Sequence, residues 1–150
     1  MKKILVLAAL GALVPVFALA GANYGRIKDE VVLAECGACH LAYQPRLLRS
    51  QSWEKIMAGL DDHFGEDASL DEETTAHIAE YFARKSRKTS RRKTSWDDVP
   101  IRITKLRWFM REHRGEVSRA AIKKAGTMSN CGAGSGCHSV KDVNRGYYDD

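Results

Sequence analysis

The sequence predicts a mostly α-helical fold built from short helices. Three observations carry that reading: apolar residues recur at helical spacing in several short windows, capping residues and glycines bracket those windows, and strand signals are few. With 150 residues, 44% hydrophobic and 29% charged, the chain has the make-up of a globular protein of about one domain. That balance excludes wholesale disorder. Three prolines and no Gly-X-Y period exclude collagen-like and Pro-rich architectures.

The elements follow in chain order. Residues 1–20 stand apart. Lys2 and Lys3 make a positive start, Ile4 to Leu19 is apolar apart from Gly11 and Pro15, and Ala18-Leu19-Ala20 is an A-x-A cleavage pattern. This is the layout of a secretory signal peptide, cut after Ala20 or alternatively after Ala22. The competing reading is a transmembrane anchor, but an apolar run of about 16 residues falls short of the ~20 that a span requires. No other stretch is apolar enough to cross a membrane. The expectation is therefore an exported, periplasmic chain, not membrane-embedded after cleavage.

Residues 24–35 mix apolar and charged positions at helical spacing and lead directly into Cys36. Trp53, Ile56, Met57 and Leu60 fall on one face of an amphipathic helix, with Ser52 placed to cap it. Extended by a turn, the stripe reaches His63 and Phe64 before Gly65 stops it. Ser69-Leu70-Asp71-Glu72 is a capping-box pattern opening a helix to about Ala83, with Ile78, Tyr81 and Phe82 inward. Residues 84–95 hold seven Lys/Arg and read as a solvated basic linker between two halves of one domain, 21–150. Val99 to Ile103 is extended around Pro100. Trp108, Phe109 and His113 lie in a helical stretch, with Phe109 and His113 one turn apart. Glu116 to Ala125 is a short amphipathic helix stopped by Gly126, and the tail ends in Tyr147-Tyr148-Asp149-Asp150.

Charge is segregated along the chain. Residues 21–83 hold 5 basic and 12 acidic side chains, whereas 84–124 hold 15 basic and 4 acidic. A basic surplus can mark nucleic-acid binding, but export and the acidic first half argue against it. A charged protein partner suits the pattern better.

Two cysteine–histidine sites carry the chemistry. Cys36-Gly37-Ala38-Cys39-His40 is a complete C-x-x-C-H. Two thiols at that spacing can each add to one of the two vinyl groups of a porphyrin while the adjacent imidazole reaches the iron. This is the signature of c-type haem attachment, and export supplies the compartment where attachment occurs. A C-x-x-C redox pair has no need of the histidine, and half a zinc site would need a better-matched second pair. The second site runs from Cys131 to Cys137-His138, with five residues, all Gly, Ala or Ser, between the cysteines. Three readings stand open there: haem attached through both thiols across a flexible loop, haem attached through Cys137 alone, or a Cys131–Cys137 disulfide without haem.

An iron has two axial positions. His40 and His138 are the proximal ligands, and His63, His77, His113, Met57, Met110 and Met128 are candidates for the sixth position. His63 extends an apolar face, His113 follows two aromatics, and His77 is the weaker candidate. Two histidines per iron give a lower potential than His/Met and close the metal to substrates, which favours electron transfer over catalysis. A haem enzyme or gas binder with one open iron, a monohaem carrier with a degenerate C-terminal site, and a haem-free exported module are the alternatives.

Over nearly its full length after residues 1–20 the sequence resembles the small periplasmic dihaem cytochrome c family. The segments that carry the resemblance are Glu35 to His40 with Tyr43-Gln44-Pro45; Ser52-Trp53 with Met57 to Leu60; Asp62 to Ala68; Ile101 to Thr104; Trp108-Phe109 with Arg111-Glu112-His113; and Ser129-Asn130-Cys131 leading to Cys137-His138. The resemblance implies short helices packed around two haems c per chain, with Trp53, Phe64, Trp108 and Phe109 among the packing residues. It implies attachment at Cys36, Cys39, Cys131 and Cys137 and two histidines on each iron; nearness in sequence then assigns His40 and His63 to the first and His138 and His113 to the second. It implies an electron carrier, not an enzyme, exchanging electrons with another periplasmic cytochrome c or a membrane cytochrome b. The chain departs from the family pattern at its second motif, which carries three extra residues between the cysteines.

Overall fold

The computed structural model describes residues 24–89, 94–115, 117–130 and His138. Among them the chain forms helices α1 (Glu30–Gly37), α2 (Ser50–Met57), α3 (Glu72–Lys85), α4 (Arg107–His113) and α5 (Arg119–Ala125). Single 3₁₀ turns lie at Pro45–Leu47, Leu60–Asp62 and Ile103–Lys105. No strand is present among the described residues; Arg49 with Arg87 and His63 with Glu66 form isolated bridges. The mostly helical class expected from the sequence is the one observed.

The boundaries shift where a side chain or a distant backbone group competes for a helix end. The helix expected over 24–35 starts only at Glu30, because the Asp29 carboxylate accepts the Val32 N–H and caps it, and it continues through Cys36. Ser52 is not the cap of α2. That helix begins at Ser50, whose N–H donates to the Arg87 carbonyl, and Ser52 is buried inside it. The stripe does not carry the helix to Gly65 either: α2 ends at Met57, and Leu60–Asp62 is a separate turn. Ser69 does not open α3. Its N–H donates to Asp67, while Asp71 caps the helix by accepting from the Thr74 N–H and hydroxyl. The last helix starts at Arg119, not Glu116, under a Ser118 cap, and Gly126 ends it at φ 78°.

The inward face of α3 is the one expected. Ile78, Tyr81 and Phe82 are buried, and with Ile27, Val32, Ala42, Leu48 and Trp53 they form the core between α1, α2 and α3. Trp53 stacks on Phe82 with centroids 3.9 Å apart and donates its indole N–H to the Pro45 carbonyl at 2.7 Å. Glu72 and Glu73 in the first turn of α3, and Arg84 and Lys85 in the last, match the helix dipole. The basic stretch read as a linker over 84–95 thus begins inside α3. Ser86 to Thr89 then run beside the start of α2, where Ser50 and Thr89 share a hydroxyl hydrogen bond of 2.8 Å. Residues 90–93 lie outside the described residues.

Asp29 does a second job. His77 on α3 donates Nε2–H to it at 2.9 and 3.1 Å, tying α3 to the helix that carries the first cysteine motif. Burial works to raise the Asp29 pKa. The hydrogen bonds from His77 and from the Val32 and Val31 N–H groups, with the charge of His77, outweigh it, and the carboxyl lies below its ordinary 3.8. Asp29→Ala is expected to cost about 1 kcal/mol in denaturant unfolding at neutral pH. Because the folded pKa is depressed, the advantage holds above the unfolded value and fades as pH falls through the folded one. A gap between variant and parent that stays constant into strong acid would contradict this.

Candidate functional site

The first motif sits at the C-terminal end of α1 and just beyond it. Cys36 is half-buried against the core, Cys39 is exposed, and His40 follows. Burial, with the neighbouring Glu35 carboxylate, pushes the Cys36 thiol up to about 11. That is the opposite direction from the lowered thiol of a dithiol oxidoreductase.

The His40 ring is fixed by its own chain. Nδ1–H donates to the Leu41 carbonyl at 2.7 Å, which leaves the lone pair on Nε2. The His63 ring faces it, with centroids 6.2 Å apart and planes 21° from parallel. Two metal–nitrogen bonds of about 2 Å, plus roughly 1 Å from each nitrogen to its ring centre, also give about 6 Å. Burial, then His40 and the Arg102 guanidinium, lowers the His63 pKa below 6.5, which favours the neutral, ligating form.

His63 reaches this place through a strained turn. Its N–H donates to the Glu66 carbonyl at 2.7 Å, and Phe64 is held at φ 64°, a region that bulky residues seldom occupy. The Arg102 guanidinium lies 4.1 Å over the Phe64 ring, a cation–π contact that helps hold the turn. Phe64 itself is exposed.

A second imidazole pair has the same spacing. His113 closes α4, donates Nδ1–H to the Phe109 carbonyl one turn back at 2.8 Å, and stacks on the Phe109 ring at 3.9 Å. Its centroid lies 6.1 Å from that of His138, with the planes at 78°. The spacing again suits one metal between two rings, here with the rings crossed. The buried indole N–H of Trp108, on the same helix, has no acceptor among the described residues. A haem carboxylate is the kind of acceptor it lacks.

The structure thus brings together His40 with His63 and His113 with His138, and places His77, Met57 and Met110 elsewhere. His77 is engaged by Asp29, Met57 packs against the core, and Met110 is exposed. Cys131 and Cys137 lie outside the described residues. Phe64, expected to pack against a haem, is the strained residue of this turn, whereas the sequence reading does not single out Arg102 as a site residue.

A family model described as dihaem cytochrome c matches residues 32–148. The fold is similar to a diheme cytochrome c from Rhodobacter sphaeroides, with a TM-score of 0.68 and 39% identity over 81% of this chain and 98% of that one. It is also similar to the diheme cytochrome c of Shewanella baltica OS155, with a TM-score of 0.62 and 35% identity over 79% of this chain and 85% of that one. No curated protein matches the sequence. No helix among the described residues is long and apolar enough to cross a membrane.

Proposed function

The chain belongs to the dihaem cytochrome c family, whose chemistry is haem-based electron transfer, and from that premise we propose that it is a two-haem, one-electron carrier working in the periplasm. The observation that supports this most is the pair of imidazole couples, 6.2 and 6.1 Å between ring centres, each at the span of one iron.

In this reading Cys36 and Cys39 attach the first haem and His40 and His63 bind its iron. Cys131 and Cys137 attach the second, and His138 and His113 bind its iron. A bound haem supplies a one-electron ferric/ferrous couple. The protein's part is to keep the geometry constant between oxidation states. The Leu41 and Phe109 carbonyls fix the His40 and His113 rings through Nδ1, and Phe109 packs flat on His113. With two histidines placed to hold each iron, neither iron would offer a place for a substrate, which favours a carrier over an enzyme.

The intact mass of the purified holoprotein under denaturing conditions counts covalent haems. Two haem additions are expected. One addition would mean that the widened Cys131–Cys137 motif is not processed, and none would remove the proposal.

The partner we propose is another periplasmic cytochrome c or a membrane cytochrome b with an acidic docking face, met by the basic run from Arg84 to Lys93. Neutralising Arg91, Arg92 and Lys93 together should slow association several-fold at low ionic strength and little at high salt. A rate unaltered at low salt would return the run to a plain connection.

A further inference from the structure

Tyr43 touches both halves of the site. Its ring stacks on the His40 imidazole, with centroids 5.0 Å apart and planes 27° from parallel. Its hydroxyl donates to the Ser129 carbonyl, 86 positions further along the chain. Ser129 lies two residues before Cys131. The receiving turn is itself anchored to α5: the Asn130 side chain donates to the Ala125 carbonyl at 3.1 Å, its N–H to the Thr127 carbonyl at 3.2 Å, and the Ser129 N–H to the Thr127 hydroxyl at 3.3 Å. The ring end of Tyr43 packs against the core of the N-terminal half.

We propose that Tyr43 is a positioning residue for both haems, its ring setting the plane of the His40 imidazole and its hydroxyl seating the segment that enters the second attachment motif. The inference rests on the two-haem reading and adds a coupling between the sites. The Tyr43 ring lies against the imidazole and, together with the Leu41 hydrogen bond, limits rotation of the His40 ring about its Cβ–Cγ bond. The hydroxyl fixes where the chain stands two residues before Cys131.

Two variants separate the two ends. Tyr43→Phe keeps the ring and removes the hydroxyl; Tyr43→Leu removes both. The holoproteins are compared with the parent by intact mass, low-temperature electron paramagnetic resonance and redox titration. Near-parallel and crossed imidazole planes split the iron d orbitals differently, so the two ferric signals are distinguishable. Tyr43→Phe is expected to leave the first haem's signal and potential in place while shifting or splitting the second's; outright loss of the second haem from the mass is the stronger form of the same result. Tyr43→Leu is expected to move the first signal as well. A Tyr43→Phe protein that matches a normally loaded parent in both signals and both potentials overturns the coupling. A parent that carries no haem overturns the two-haem reading itself.

Discussion

Replacing His63 with alanine is expected to open one of the two irons. About half of the ferric haem should pass from six-coordinate low-spin to high-spin, and the same half should bind carbon monoxide on reduction. Two neighbours of His63 offer no substitute: Phe64, whose ring lies 4.7 Å from the imidazole, is apolar, and the Arg102 guanidinium over it has no lone pair to give. His113→Ala should do the same at the other iron. His77→Ala is the control, because that ring is committed to Asp29, and its spectrum should match the parent's. A His63→Ala spectrum that stays wholly low-spin, or a His77→Ala spectrum that does not, would reverse the ligand assignment.

Trp53→Ala is expected to be the most damaging core change. Trp53 is 6% exposed, lies flat on Phe82, and satisfies the buried Pro45 carbonyl through its indole N–H. Truncation removes the largest side chain of the core and leaves that carbonyl without its donor. The cost should be about 3–5 kcal/mol, against a total stability on the order of 5–15 kcal/mol. Denaturant unfolding of the holoprotein should show a lower midpoint with an unchanged slope. Trp53→Phe retains the stack and loses only the hydrogen bond, so about 1–2 kcal/mol is expected. A loss below about 1 kcal/mol for Trp53→Ala would mean that Trp53 is not central to the packing.

How much of this was legible in the sequence depended on range. Ile78, Tyr81 and Phe82 were readable as the inner face of α3 because their spacing is local. The helix ends were misplaced where two polar groups compete. Ser69 and Asp71 both fit the cap of α3, and Asp67 takes the Ser69 N–H, leaving Asp71 to do the capping. The start of α2 depends on the Arg87 carbonyl, which no local pattern near Ser50 announces. His63 stood on an extrapolated apolar stripe. It meets His40 by a different route, a 3₁₀ turn followed by the positive-φ Phe64. The two close ring pairs, His40 with His63 and His113 with His138, are also pairs that lie near each other in sequence. The Tyr43–Ser129 contact spans the chain and left no trace in spacing or composition.

The most direct test of the whole account is the spectrum of the unmodified holoprotein, ferric by paramagnetic resonance and reduced under carbon monoxide by absorption. Two imidazole pairs each closing one iron predict two low-spin ferric signals, no high-spin component and no change on adding carbon monoxide. A high-spin signal with a carbon monoxide adduct at either haem would contradict the closed two-haem carrier and point instead to an iron open for gas binding or catalysis.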